Sequence, residues 1–164
     1  AIATITTPKI AEFFYQNKIE KLKRTIAFSS KVMTFCGLPI FLIIFIFPEY
    51  LLSIFGQEYI TGKMVLRILL IAQFTNVITG PVGPVFQMTG HQKKLQMFII
   101  ISLIVNIVFS ILLVNSYGLE GVAIGSGFGM MIWNILGATY IYRKLNIKTW
   151  YHFFPQLRIN GNRF

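Results

Sequence analysis

Residues 95–115 read LQMFIIISLIVNIVFSILLVN, twenty-one positions without one charge. A bilayer core of about 30 Å needs roughly 20 apolar residues in helical form, so this stretch is long enough to cross one. Three further segments pass the same test with a window near ~19 residues: Lys31 to Phe55, Lys63 to Met88, and Leu119 to Tyr142. The first is interrupted by Pro48-Glu49, so its apolar core is expected to end at Phe47, with Tyr50 to Phe55 as an interfacial turn. The second contains Gly80-Pro81-Val82-Gly83-Pro84, where each proline removes a donor and clashes one turn back, so a kink or break is expected.

The whole chain fits that reading. Of its 164 residues, 55% are hydrophobic and only 12% charged, about half the charged share of soluble domains. So small a globule cannot hide this much apolar surface, which argues against a water-soluble enzyme. The sequence therefore predicts an all-α membrane helix bundle with four transmembrane helices and flanking amphipathic segments. The divisions expected are the end of a preceding transmembrane helix (1–14), an amphipathic linker (15–30), a four-span bundle (31–142) and a tail (143–164). The opening AIATITTPKIAEFF has neither an initiating Met nor a signal-peptide pattern, and reads as the end of an earlier helix stopped at Pro8. The expectation is a piece of a longer chain.

The net charge of +10 has a topological pattern. Lys9, Lys18, Lys21, Lys23, Arg24, Lys31, Lys93, Lys94, Arg143, Lys144, Lys148, Arg158 and Arg163, against Glu12 and Glu20, put +11 on one side. Glu49, Glu58 and Glu120 with Lys63 and Arg67 leave −1 on the other. The positive-inside rule then places both ends of the segment in the cytoplasm. Nucleic acid is not needed as a partner to explain the charge.

Glu20, Lys21, Lys23 and Arg24 interleave with Ile19, Leu22 and Ile26 at helical spacing, as in a helix lying on a lipid surface or a solvated linker. The tail sets Trp150, Tyr151, Phe153 and Phe154 beside Lys148 and Arg158, the composition of an interfacial anchor. Cys36 is the one cysteine, so no disulfide forms within the chain; it reads as a small core or lipid-facing residue. His91 and His152 read as solvated.

Polar residues inside the spans are costly and should face other helices or a water-filled cavity. Candidates for a substrate cavity are Arg67, Gln73 and Asn76 in the second span, Ser102, Asn106 and Ser110 in the third, and Asn134 in the fourth. Ser102, Asn106 and Ser110 recur every four residues and form one stripe, either for interhelical hydrogen bonds or for lining a transport path. Arg67 lies one turn beyond Lys63; it either snorkels outward to lipid phosphates or faces a cavity and pairs with an anionic substrate. Gly121, Gly125 and Gly129 form a face that permits close helix approach. The acids lie on loops or flanks, no His/Cys cluster or nucleophile motif occurs, and no motif calls for a cofactor or metal.

Phe55-Gly56-Gln57-Glu58-Tyr59, then Gly62 and Val65-Leu66-Arg67-Ile68-Leu69, resemble the C-terminal half of polysaccharide (O-antigen-type) flippases of the multidrug/oligosaccharidyl-lipid/polysaccharide exporter superfamily. The likeness continues through Gln73, Asn76, Gly80-Pro81, Met88-Thr89-Gly90, Asn106, Tyr117 to Ile124, Asn134 and Leu145, and includes Pro8-Lys9-Ile10-Ala11. It implies a transporter of about 12 to 14 spans in two bundles, of which this segment would be spans nine to twelve. It further implies a bacterial inner-membrane location and, as cargo, an undecaprenyl-diphosphate-linked oligosaccharide moved to the outer leaflet. The partners implied are the lipid-linked oligosaccharide, membrane lipids and the N-terminal half of the same chain. A multidrug exporter of the same architecture, a nontransporting membrane scaffold and a membrane-embedded enzyme are the competing readings, since fold alone does not set cargo.

Overall fold

The structure, a computed structural model, describes residues 2–150. All regular structure among them is helical. In chain order come α1 (Ile2–Tyr15), α2 (Ile19–Ile46), α3 (Pro48–Ser53), a 3₁₀ turn (Gln57–Gly62), α4 (Lys63–Thr79), α5 (Val82–Met88) and the helical run Gln92–Leu145. That run is far too long for one crossing: at 1.5 Å per residue it would extend about 81 Å. It turns at Gly118, whose φ of 54° and ψ of −131° are non-helical. We label its arms α6 (92–117) and α7 (119–145). Among the described residues, three helical runs, Ile19–Ile46, Gln57–Thr79 and Gln92–Leu145, are long and apolar enough to cross a membrane, and the last of them is bent at Gly118.

Several boundaries fall elsewhere than the sequence indicates. Pro8 lies in the middle of α1 and does not stop it, the helix continuing to Tyr15; the proline forfeits one backbone hydrogen bond there. The amphipathic stretch is not a separate surface helix. It is the first half of α2, and Leu22 and Ile26 are fully buried against protein, in one cluster with Ile10, Val82, Val85 and Phe86. The first span stops at Ile46, as Pro48 opens a new short helix. Gly80 and Pro81 separate α4 from α5, the break expected of that motif.

The packing order follows from paired residues. Helix α2 crosses α4 antiparallel, with Gly37 against Val77, the Phe41 and Phe74 rings stacked at 4.4 Å, and Phe45 beside Arg67. Helices α4 and α7 run parallel, joined at Ala72 and Gly127 and again at Thr79 and Asn134. Helices α6 and α7 form an antiparallel hairpin. The buried core lies at one end, where Leu22, Val85, Phe86, Leu95, Phe98 and Ile141 meet. Lys21, Arg24, Lys93, Lys94, Arg143 and Lys144 sit at that basic end; Glu49, Glu58 and Glu120 sit at the opposite, acid-bearing end. Between the ends, wide apolar bands remain exposed, such as Ile100, Ile104, Ile111 and Leu112 on α6. Such bands suit hydrocarbon rather than water.

Candidate functional site

The stripe Ser102, Asn106 and Ser110 on α6 meets the stripe Gly121, Gly125 and Gly129 on α7. Ser102 Oγ donates to the Gly129 carbonyl at 2.5 Å, Ser126 Oγ donates to Asn106 Oδ1 at 3.3 Å, and Ser110 Oγ donates to Asn106 Oδ1 at 3.0 Å. The glycines leave room for this. A Cβ on Gly125 would come within 2.4 Å of Ser110 Oγ, and one on Gly129 within 2.8 Å of the Ser102 carbonyl. The Ser102 and Ser126 bonds cross between the two helices, and the Ser110 bond to Asn106 stays within α6.

Asn134 is fully buried on α7. Its Oδ1 accepts from Thr79 Oγ1 at 3.2 Å and its Nδ2 donates to the Met130 carbonyl at 2.9 Å. Thr79 ends α4, just before the break, so this bond fixes the end of α4 on α7. The Thr79 hydroxyl also lies within reach of the Thr75 and Asn76 carbonyls.

Arg67 is half-buried, with a partner neither sequence reading foresaw. Its Nε donates to the Phe45 carbonyl at 3.2 Å and its guanidinium lies 5.8 Å from the Phe45 ring centroid. Phe45 is in the last turn of α2, where carbonyls lack helical partners and the helix dipole favours a cation. One turn outward, Lys63 Nζ meets Glu49 Oε1 at 2.9 Å. That hydrogen bond, and secondly the Lys63 charge, hold the Glu49 carboxyl below its ordinary range.

Gln73 is exposed and Asn76 half-buried, and the side chain of neither hydrogen-bonds to another described residue. Three positions apart on α4, they share a face. The seven sequence candidates thus divide. Five hydrogen-bond within the bundle, while the amides of Gln73, exposed, and Asn76, half-buried, make no side-chain hydrogen bond with a described residue.

Sequence reasoning missed three groups that meet at the helix break. Gly80, with φ of 77°, packs so tightly that a Cβ would strike both Ser30 Oγ and the Thr149 carbonyl, and Ser30 Oγ donates to that carbonyl. The signal available was the run Ser29-Ser30-Thr34 within an apolar helix, since buried hydroxyls in a span demand partners. His91 is not simply solvated. Its Nδ1 lies 3.1 Å from Thr89 Oγ1 and its ring packs edgewise on Tyr140. Trp150 stacks obliquely with Tyr142, and Lys148 lies over the same Tyr142 ring. The expectations for Tyr151, His152, Phe153, Phe154, Arg158 and Arg163 lie outside the described residues. Cys36 is exposed on α2.

Comparison with known proteins adds a family and a relative. The MatE family model matches residues 1–112. The chain is 24% identical over 155 residues to the probable low-salt glycan biosynthesis flippase Agl15 of Haloferax volcanii, covering 92% of this chain and 32% of that protein. The chain thus spans about a third of the length of that relative. No solved structure matches.

Proposed function

From the premise that this chain belongs to the MatE family, a family of the exporter superfamily it resembles in sequence, we propose that it forms the C-terminal part of a flippase for lipid-linked oligosaccharide. The cargo in this reading is an undecaprenyl-diphosphate-linked glycan carried from the cytoplasmic to the outer leaflet of a bacterial inner membrane. The relative whose name describes a glycan biosynthesis flippase supports the cargo class over drug export. The chain is a multi-pass membrane protein, as its long apolar helices require.

The observation that carries the reading is the contrast between the polar groups of α6 and α7 and those of α4. Ser102, Asn106, Ser110 and Asn134 are engaged in the bundle. Gln73 and Asn76 present amide groups that no described residue takes. An outward amide in a span belongs against water or a sugar rather than hydrocarbon. In this reading Gln73 and Asn76 line the path toward the N-terminal half of the transporter, with Arg67 held near its outer end. The basic end is the cytoplasmic one.

Deletion of the gene should cause undecaprenyl-linked sugar to accumulate, and restoring the full-length gene should clear it. Restoration by a Gln73→Leu, Asn76→Leu double variant should fail at normal protein abundance. Unchanged lipid-linked sugar on deletion, with increased drug sensitivity, would instead identify a drug exporter.

A further inference from the structure

Asn146 leaves α7 with a left-handed φ of 53°, and the chain beyond it folds back onto the bundle. Residues 146–150 form no helix, yet Ile147 is 1% exposed and Thr149 is fully buried. Ile147 joins the core cluster that holds Leu22 and Ile26 of α2 and Val82, Val85 and Phe86 of α5. Trp150 stacks obliquely on Tyr142 of α7. The Thr149 carbonyl accepts from Ser30 Oγ of α2 and fills the space beside Gly80 that a Cβ would need. This short segment therefore crosses from the end of α7 to the place where α2 meets the break between α4 and α5.

The break is where an angle can change. Thr79 ties the end of α4 to Asn134 of α7, and Val82, Val85 and Phe86 tie α5 into the core with Ile10 of α1. Between these anchors lie Gly80, with φ of 77°, and Pro81. Hinges are built from a few such residues at element ends, which take up the change in φ and ψ. With the Thr149 carbonyl and Ser30 Oγ closed around Gly80, that change has no room. The segment that closes it is held lightly. Burial of Ile147 and the Ser30 bond favour docking. Against them, the Thr149 hydroxyl is buried without a hydrogen bond to any described residue, and such a group opposes burial at least as strongly as one hydrogen bond favours it. Lifting the segment at this basic end of the bundle returns the hydroxyl to water.

We propose that residues 146–150 are a strap that locks the α4/α5 break, and that α5 turns on α4 only when the strap lifts from Ser30. A transporter works by moving one part of its bundle against another, and the strap makes one such movement conditional on the chain just beyond α7. The device does not depend on what the cargo is, so it stands or falls apart from the flippase reading.

The test uses the full-length protein in lipid nanodiscs, with Thr149→Cys as its one cysteine and a water-soluble maleimide as the probe. Ser30 binds the backbone of residue 149, so this substitution leaves the bond in place. Labelling should be slow. Ser30→Ala should speed it about fivefold, the effect of one lost hydrogen bond, and Ile147→Ala about tenfold or more. Ser29→Ala, whose hydroxyl bonds the Thr25 carbonyl of its own helix, should leave the rate unchanged. In protein with native Thr149, spin labels at Met64 and Gln87, exposed positions on α4 and α5, should report one dominant distance, and Ser30→Ala should add a second. Fast labelling with Ser30 and Ile147 in place overturns the proposal, and that measurement holds even if a variant fails to fold. No acceleration by Ser30→Ala, equal acceleration by Ser29→Ala, or faster labelling without a second distance overturns it as well.

Discussion

Ser102 Oγ and the Gly129 carbonyl are joined at 2.5 Å across the seam of α6 and α7. The bond is possible because Gly129 has no side chain to hold the two backbones apart. The same logic repeats at Ser110, two turns outward on α6, and Gly125, one turn outward on α7. The hairpin is therefore a zipper of small residues on one helix against hydroxyl and amide groups on the other.

That close approach makes Gly125 intolerant of size. Gly125→Leu should lower stability by about 1–3 kcal/mol, the usual cost of overpacking, and reduce folded yield. Gly83→Ala, where a Cβ meets nothing within 4 Å, should leave the melting temperature in detergent unchanged or slightly raised. Equal behaviour of the two variants would mean that α6 and α7 do not pack as described.

Arg67 anchors the last turn of α2 through Phe45. Losing that bond should destabilise the protein by about 1–3 kcal/mol in Arg67→Ala. Arg67→Lys should recover only part, because a point charge replaces a planar fork that also lies against the Phe45 ring. Thermal unfolding of both variants in one detergent checks the order.

Asn134 and Thr79 couple α7 to α4 within the bundle. A double-mutant cycle of Asn134→Leu and Thr79→Val should return a coupling of about 0.6 kcal/mol, the average for such bonds in membrane proteins. Strict additivity of the two substitutions would show that the bond is not formed.

The pairing of Glu49 with Lys63 ties α3 to the start of α4 and gives a pH dependence with a definite sign. The folded carboxyl titrates below its ordinary range, so its contribution is present above the unfolded carboxylate's pKa and is lost as pH falls through the folded one. Protection factors across residues 48–62, corrected for intrinsic exchange rates, should fall on acidification, and Glu49→Gln should flatten that response. Faster exchange at higher pH, beyond the intrinsic base catalysis seen in Glu49→Gln, would contradict the pairing.

Much of this was legible beforehand. Long charge-free runs gave the spans, and the prolines at 48 and 81 marked where helices end. The polar stripe and the glycine stripe were each visible by their four-residue spacing. What periodicity could not supply was which surface lies opposite. Leu22 and Ile26 look the same in sequence whether they meet lipid or protein, and only the arrival of α1 and α5 buries them. Arg67 likewise finds Phe45, 22 positions away, through the return of the chain by α3 and the 3₁₀ turn. Gly80, Ser30 and Thr149 meet across still longer separations, and a lone serine in an apolar run does not announce its partner.

The most direct test of the account is leaflet exchange by the full-length protein in sealed vesicles, loaded on the inner leaflet with a fluorescent undecaprenyl-diphosphate oligosaccharide. The account predicts that the glycan becomes accessible to an external glycosidase with wild-type protein, and not with the Gln73→Leu, Asn76→Leu variant. Glycan that stays protected with wild-type protein, under conditions where the protein is folded and correctly inserted, would contradict it.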